Sequence, residues 1–298
     1  MSPGIHLLHK PVGPTSFRVV QQCIAAQRQE SKRKHPKICH GGTLDPFASG
    51  LLLILVEPAT RLFDQLHGIP KIYDATIRWG IETDNGDPTG KVIAEGNTSS
   101  LTQARVEEAM HSFTGWHEQI PPATSAKRID GERAYLKVLR GELVQMPPVR
   151  VYLHEAKWLE HDLPRQSRVR LVVRGGYYIR ALARDLGRKL GCGAHVSMLH
   201  RRAIGPWTDP GPDHNVEIHG SDLLPWLPSR LLSDQEFGAI RRNQPIPTGQ
   251  IQKPAWPLPA QFHEPSAPVR GFHLQRLVCL LGGSDRQLQL LTPLRGGL

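Results

Sequence analysis

In KIYDATIRW (71–79), Tyr73, Ala75, Ile77 and Trp79 fall on one side of the chain and Ile72, Asp74, Thr76 and Arg78 on the other. That period of two predicts a half-buried strand. LLLILV (51–56) is apolar at every position, the signature of a strand buried on both faces. GIHLLHK starts as a strand and breaks at Pro11, Gly13 and Pro14. SFRVVQQCIAAQRQ then has helical spacing, with Ser16 as its candidate cap. SSLTQARVEEAMHSFTG predicts a second helix, with a Ser100/Gln103 capping box, a stripe of Val106, Ala109, Met110 and Phe113, and Gly115 past its end. In SRVRLVVRGGYYIRALARDLGRKLGCG a strand turns at Gly175 and Gly176 into a helix lined by Ile179, Leu182, Ala183, Leu186 and Leu190. This places tyrosines and Arg180 at a strand end, where side chains commonly meet ligands. After Trp207 the texture changes to a linker-like TDPGPDHN, a helix-like LLSDQEFGAIRRNQ, a proline-rich passage from Pro245 to Pro268, and the strand-like RLVCLLGG and RQLQLLTPL. The 298 residues therefore divide into a main domain over 1–210 and a small β-rich domain over 211–298.

Composition narrows the function. With 39% hydrophobic and 21% charged residues and no apolar stretch of membrane-spanning length, a globular chain is expected. The N-terminus MSPGIHLLHKPVG has no apolar segment of signal length, so a cytoplasmic product is expected. Four scattered cysteines, without a Cys-x-x-Cys pair, argue against a zinc knuckle or a disulfide framework. The formal charge of +10 attracts a polyanion, nucleic acid being the commonest. The basic residues cluster in Arg28 to Lys37 and again among Arg168, Arg170, Arg174, Arg180, Arg184, Arg188, Lys189, Arg201 and Arg202.

The chemistry concentrates in HGGTLDPFASGLLL (40–53). Pro46 holds Asp45 out of helical geometry, in a loop stiffened by the buried strand that follows. A carboxylate so placed is a candidate nucleophile for a sugar carbon or phosphorus. The commoner reading of an Asp-Pro in a glycine-rich segment is an Asx-turn residue that caps its own loop. HGGT lacks the spacing and the Lys-Ser/Thr of a nucleotide phosphate loop. Glycoside hydrolysis requires a second acidic group facing the first, and no candidate stands out by spacing. The fifteen histidines form no cluster of metal-ligand spacing.

Four ordered blocks carry a resemblance. GGTLDPFASGLLLI is similar to the G-x-L-D-P-x-A-x-G-x-L signature of the TruB family of tRNA pseudouridine synthases. HKPVGPTS, KIYDATIRWGIETDNGDPTG and GGYYIRALARDLGRKLGCGAHVSMLHRR resemble that family's other blocks, so the likeness covers most of residues 5–205. The resemblance implies an α+β pseudouridine synthase catalytic fold with a central mixed, mostly antiparallel sheet flanked by helices, plus a small β-rich C-terminal domain resembling a PUA-like RNA-binding module. It implies an isomerase that detaches the uracil of uridine-55 in the TΨC loop of tRNA, turns it and rejoins it through carbon, on a flipped-out nucleotide. By the same resemblance Asp45 is the nucleophile, Tyr73 stacks on the base and is implicated in moving the sugar proton, and Arg180 pairs with the aspartate. Tyr178 lies near the base, Leu199 lines the uracil pocket, and His40 stabilises the flipped arrangement. Lys10 and Lys71 serve structure or RNA contact. No redox or group-transfer step occurs, so no cofactor and no metal are expected. The partner implied is the TΨC stem-loop of tRNA, with no membrane, no obligatory protein partner and a monomeric enzyme.

The chain departs from the family pattern at several positions. His9 precedes Lys10 where Asp is usual, Gly41-Gly42 replaces a Thr-Gly or Ser-Gly pair, and Tyr177 stands for a common Thr. PPATSAKRIDGERAY has Thr124 where Tyr is usual and Arg128 where Lys is common. The competing readings are an RNA-binding or tRNA-folding factor in which turnover is secondary, and a guide-RNA-dependent synthase.

Overall fold

The alternation in Lys71–Trp79 is realised as a central strand whose odd-numbered residues are all buried. The computed structural model describes residues 1–31, 36–125, 127–129, 131–264, 266–284 and 286–298. In chain order the main body has β1 (Gly4–Lys10), α1 (Ser16–Ser31), β2 (Ile38–His40), β3 (Ser49–Val56), a 3₁₀ segment (Ala59–Leu66), β4 (Lys71–Trp79), β5 (Ile81–Thr83) and β6 (Val92–Glu95). There follow α2 (Gln103–His111), β7 (Gly115–Gln119), β8 (Arg128–Ile129), β9 (Glu132–Arg133), α3 (Ala134–Leu139), β10 (Val149–Asp162), β11 (Gln166–Val173), α4 (Ile179–Leu190), β12 (Ala194–Ile204), β13 (Trp207–Thr208) and β14 (Asn215–Ile218).

Ten of these strands form one mixed sheet in the order β14-β1-β3-β12-β4-β11-β10-β7, with β2 added on β3 and β13 on β12. Its pairings are antiparallel except β12 with β3, which run parallel at His200–Ser49 and Arg201–Gly50. One face packs α2 and α4 over Tyr73, Ala75, Ile77 and Trp79, with Leu171, Leu182 and Leu186 among the fully buried centre. The same face runs on through Arg201 and Gly50 to Leu52, Ile54 and Val56, which α1 covers through Val19 and Val20. This is the α+β fold with a mixed, mostly antiparallel sheet that the family resemblance implies. No described helix is long and apolar enough to cross a membrane.

The close β3–β12 approach depends on a glycine. Gly50 has φ +109°, and a Cβ there would lie 2.3 Å from the Arg201 carbonyl oxygen. Gly50→Ala is therefore expected to destabilise by about 3 kcal/mol or more. Calorimetry would show Tm lowered by roughly 6 °C or more, and an unchanged Tm would refute the clash.

Three expectations need correction. The first helix is capped by Thr15, whose hydroxyl accepts from Arg18 N at 3.0 Å, because the Ser16 hydroxyl is engaged with Leu44. The second helix is capped by Thr102, not Ser100, and its hydroxyl accepts from Arg105 N. The boundary expected at 211 is crossed: β14 pairs antiparallel with β1 and completes the large sheet. A separate five-stranded sheet forms from β15 (Ser229–Leu231), β16 (Ile246–Pro247), β17 (Val269–His273), β18 (Arg276–Gly283) and β19 (Gln287–Pro293). It carries α5 (Asp234–Arg241), closed by a Ser233/Glu236 capping box. Phe272, Leu277, Leu280 and Leu294 of this unit share one core with Ile5, Leu7, Leu53 and Leu55 of the large sheet.

Candidate active site

The loop bearing Asp45 is held from three directions by buried polar side chains. Lys10, fully buried, donates through Nζ to the carbonyls of Pro11 and Ala48 at 2.8 Å. The Ser16 hydroxyl donates to Leu44 O at 2.9 Å and accepts from Leu44 N at 2.8 Å. Arg201, 1% exposed, donates to Leu51 O at 2.7 Å, Thr43 O at 3.1 Å and Gly42 O at 3.2 Å. Each donor satisfies carbonyls that would otherwise be buried unpaired. Burial draws the Lys10 ammonium down to about 8, partly offset by Asp45.

Asp45 does not spend its carboxylate on its own turn: among the described residues it meets Arg180. Arg180 Nε lies 3.0 Å from Oδ2, and Nη2 donates to Oδ1 at 3.3 Å. Arg180 Nη1 donates to Asn85 O and Thr124 Oγ1, both at 2.9 Å, with the Asp87 carboxylate at 3.4 Å. Nη2 reaches Thr124 O at 3.3 Å as well. Both Nη groups thus have acceptors on two sides and Nε rests beside the Asp45 carboxylate, which fixes the plane of the fork. The Arg180 side chain is 6% exposed and that of Asp45 30%, so the carboxylate opens outward over a sealed cation. Burial pushes the Asp45 carboxyl above its ordinary range, and Arg180 and Lys10 pull it back.

The pair sits in a cleft of about 800 Å³, a size that accommodates a nucleobase. Tyr73 from β4 and Leu199 from β12 line one wall, and Tyr177, Tyr178 and Ile179 at the head of α4 another. His40, Lys71 and the Gly41–Leu44 loop complete the lining. His40 is held below its ordinary value by burial, Arg201 and Arg133, so its imidazole is neutral at physiological pH. Lys71 donates to His67 O at 3.2 Å and Leu66 O at 3.3 Å, and burial lowers it to about 7. Gly175 permits this wall, since a Cβ there would lie 1.6 Å from His67 O. Among the described lining residues, seven lysines and arginines face one carboxylate, that of Asp45. Such a cleft favours a polyanion at its mouth. His, Cys, Asp and Glu side chains do not gather in threes at metal-binding distance among the described residues.

Residues 28–179 match the family model for the TruB family pseudouridylate synthase (N terminal domain), and residues 180–220 that for the tRNA pseudouridylate synthase B C-terminal domain. A tRNA pseudouridine synthase B of Thermotoga maritima is 38% identical over 305 residues, 99% of this chain and 94% of the relative. The chain belongs to the TruB family of pseudouridine synthases. A second family member, from Solibacter usitatus, is 35% identical over 267 residues, 84% of this chain and 87% of its own length. Among solved structures, a Cbf5-Nop10-Gar1 complex aligns with TM-score 0.66 at 22% identity, over 97% of this chain and 83% of that one. An H/ACA RNP bound to a substrate RNA containing 2'-deoxyuridine aligns with TM-score 0.65 at 20% identity, over 98% of this chain and 84% of that chain. At these identities the likeness speaks to the fold.

Of the residues singled out from the TruB-family resemblance, the structure brings Asp45, Tyr73, Arg180, His40, Tyr178, Leu199 and Lys71 to one cleft. Lys10 stands apart: it lies beneath the loop, fully buried on backbone carbonyls, so of structure and RNA contact the geometry supports structure. The second basic cluster does not make one surface. Arg174, Arg180 and Arg201 turn to the cleft, whereas Arg170 and Arg202 pair with Asp74 on the far side of the sheet. Alternation along β12 divides Arg201 from Arg202. Lys32, Arg33, Lys34 and His35 of the Arg28–Lys37 run fall outside the described residues, and Lys37 pairs with Glu57 at 3.1 Å. Asn85, Asp87, Thr124 and the loop-anchoring role of Arg201 were not legible in the sequence. The turn-like ETDNGDPTG gives no sign that Asn85 O and Asp87 will meet an arginine 93 to 95 positions away.

Proposed function

We propose that this chain isomerises uridine-55 in the TΨC arm of tRNA to pseudouridine, with Asp45 attacking the ribose of an everted nucleotide. The observation that carries the reading is the Asp45 carboxylate, gripped at its rear by Arg180 and open toward the cleft. Eversion costs a few kcal/mol, which stacking on Tyr73 and Tyr178 and phosphate contacts with the basic lining offset. Arg180 keeps the carboxylate anionic after water leaves, since an adjacent opposite charge favours the ionised form. The attack at C1′ displaces the uracil through N1; the uracil rotates against Leu199, its C5 displaces the Asp45 carboxylate from C1′, and the C5 proton is lost as N1 gains one. Relatives named tRNA pseudouridine synthase B over nearly the whole chain favour free tRNA over a guide-RNA substrate.

The test uses purified protein and an unmodified tRNA transcript, followed by chemical mapping of pseudouridine. The expected product is a single pseudouridine at position 55, formed over many turnovers without added protein or guide RNA. Modification elsewhere, or none on bare transcript, would overturn the assignment. Transcript affinity should also fall steeply between 50 and 200 mM salt, by roughly tenfold or more, if several phosphates are contacted.

A further inference from the structure

Gln119 ends β7, an edge strand of the large sheet, yet its side chain is buried and the residue is 2% exposed. A buried amide is unfavourable unless its donor and acceptor are both paired. Both are, on the backbone of a single residue. Tyr178 N donates to Gln119 Oε1 at 3.0 Å, and Gln119 Nε2 donates to Tyr178 O at 3.2 Å. Tyr178 is the N-cap of α4 and has no side-chain cap of its own, so this clamp fixes the entry to the helix whose second residue is Arg180.

The neighbours of Gln119 repeat the pattern. His117, two residues back and therefore on the same strand face, has its Nε2 3.3 Å from the Tyr177 hydroxyl. Ile120 O accepts from Arg184 Nη2 at 2.9 Å, and Thr124 accepts twice from Arg180. The stretch 117–124 is thus stitched to 177–184 on both sides of the arginine that grips Asp45.

We infer that Gln119 is a positioning residue for the reaction, setting the angle at which Arg180 presents its fork to Asp45. The inference deepens the proposed function and rests on Asp45 as nucleophile. Loosening Tyr178 lets the guanidinium drift, and a drifting cation supports the carboxylate less well, which raises the pH at which Asp45 becomes protonated.

The experiment compares wild type with Gln119→Met, which keeps length and removes both hydrogen bonds, and Gln119→Glu, which keeps the acceptor for Tyr178 N and loses the donor. Single-turnover rates on unmodified transcript are measured across pH, with transcript Kd and Tm. We expect the rate to fall about 10- to 100-fold in Gln119→Met, with Kd within about threefold and the acid limb moved upward by about half a unit or more. Gln119→Glu should fall between Gln119→Met and wild type, and it carries the test if Gln119→Met does not fold. A wild-type rate, or a lower rate that tracks the folded fraction with an unmoved acid limb, would overturn the inference. Failure of the underlying reading is told apart by Asp45→Asn, which would then remain active; failure of Gln119 alone leaves Asp45→Asn inactive.

Discussion

Asp45→Asn is expected to end pseudouridine formation, lowering the single-turnover rate by at least about 10⁴-fold, the scale seen when a covalent nucleophile is removed. The amide keeps the size of the carboxylate and an oxygen for the Arg180 fork, so transcript binding should persist. Stability should hold or rise. Burial makes the Asp45 carboxylate less favourable in the folded protein than in water, as its raised pKa records. A group raised in this way contributes stability at low pH and loses it as pH rises through the folded value. At neutral pH the ionised Asp45 is therefore a burden that the uncharged Asn does not carry. For activity the sign is opposite: the attacking form is the anion, so the rate should fall with acidification along a limb above the ordinary aspartate value of about 4. Mapping of pseudouridine in transcript treated with the variant, alongside a thermal melt, checks both halves. Turnover near the wild-type rate would remove Asp45 from the mechanism.

Arg180→Lys should produce the second-largest loss, about 10²- to 10³-fold in rate, equivalent to roughly 3 to 4 kcal/mol. Lysine restores one charge but not the planar fork, which here serves Asp45, Asn85 and Thr124 together. Arg180→Met is harsher, because it leaves Asp45 and Asp87 without the cation between them, and removal of one partner from a buried pair costs about 3 to 5 kcal/mol. The acid limb of the rate should move upward in Arg180→Lys relative to wild type, since the carboxylate then has a less well-placed counterion. A pH–rate profile and a denaturant melt separate the two effects. An acid limb that does not move would show that Arg180 leaves the ionisation of Asp45 alone.

The comparison of sequence with structure divides along physical lines. Periodicity located the strands and helices that make the cleft, because burial acts on every second or every third to fourth residue and leaves that mark in KIYDATIRW and IRALARDLGRKL. The family-like blocks located Asp45, Tyr73, Arg180 and Leu199. What stayed hidden was contact between distant polar groups. Thr124 breaks the family pattern, yet its hydroxyl and carbonyl both serve Arg180. Gln119 reads as an ordinary polar residue on an edge strand. Caps were misjudged by one or two positions for the same reason: Ser16 is a good cap by composition but has a better partner in Leu44, across the chain. His9, an unusual neighbour for Lys10, meets Asp209 at 2.8 Å, a pairing that nothing within HKPVGPTS foretells.

The core shared between the C-terminal sheet and strands β1 and β3 has a mechanical outcome. With Phe272 and Leu280 seated against the same apolar mass as Leu53 and Leu55, and β14 zipped to β1 on the way, the far unit cannot swing freely about its tether. An RNA touching both that unit and the cleft would meet two contacts at a set separation, like the jaws of a caliper locked at one opening. Choice among RNAs would then turn on the length and bend of the nucleic acid, and not on how far the protein closes around it.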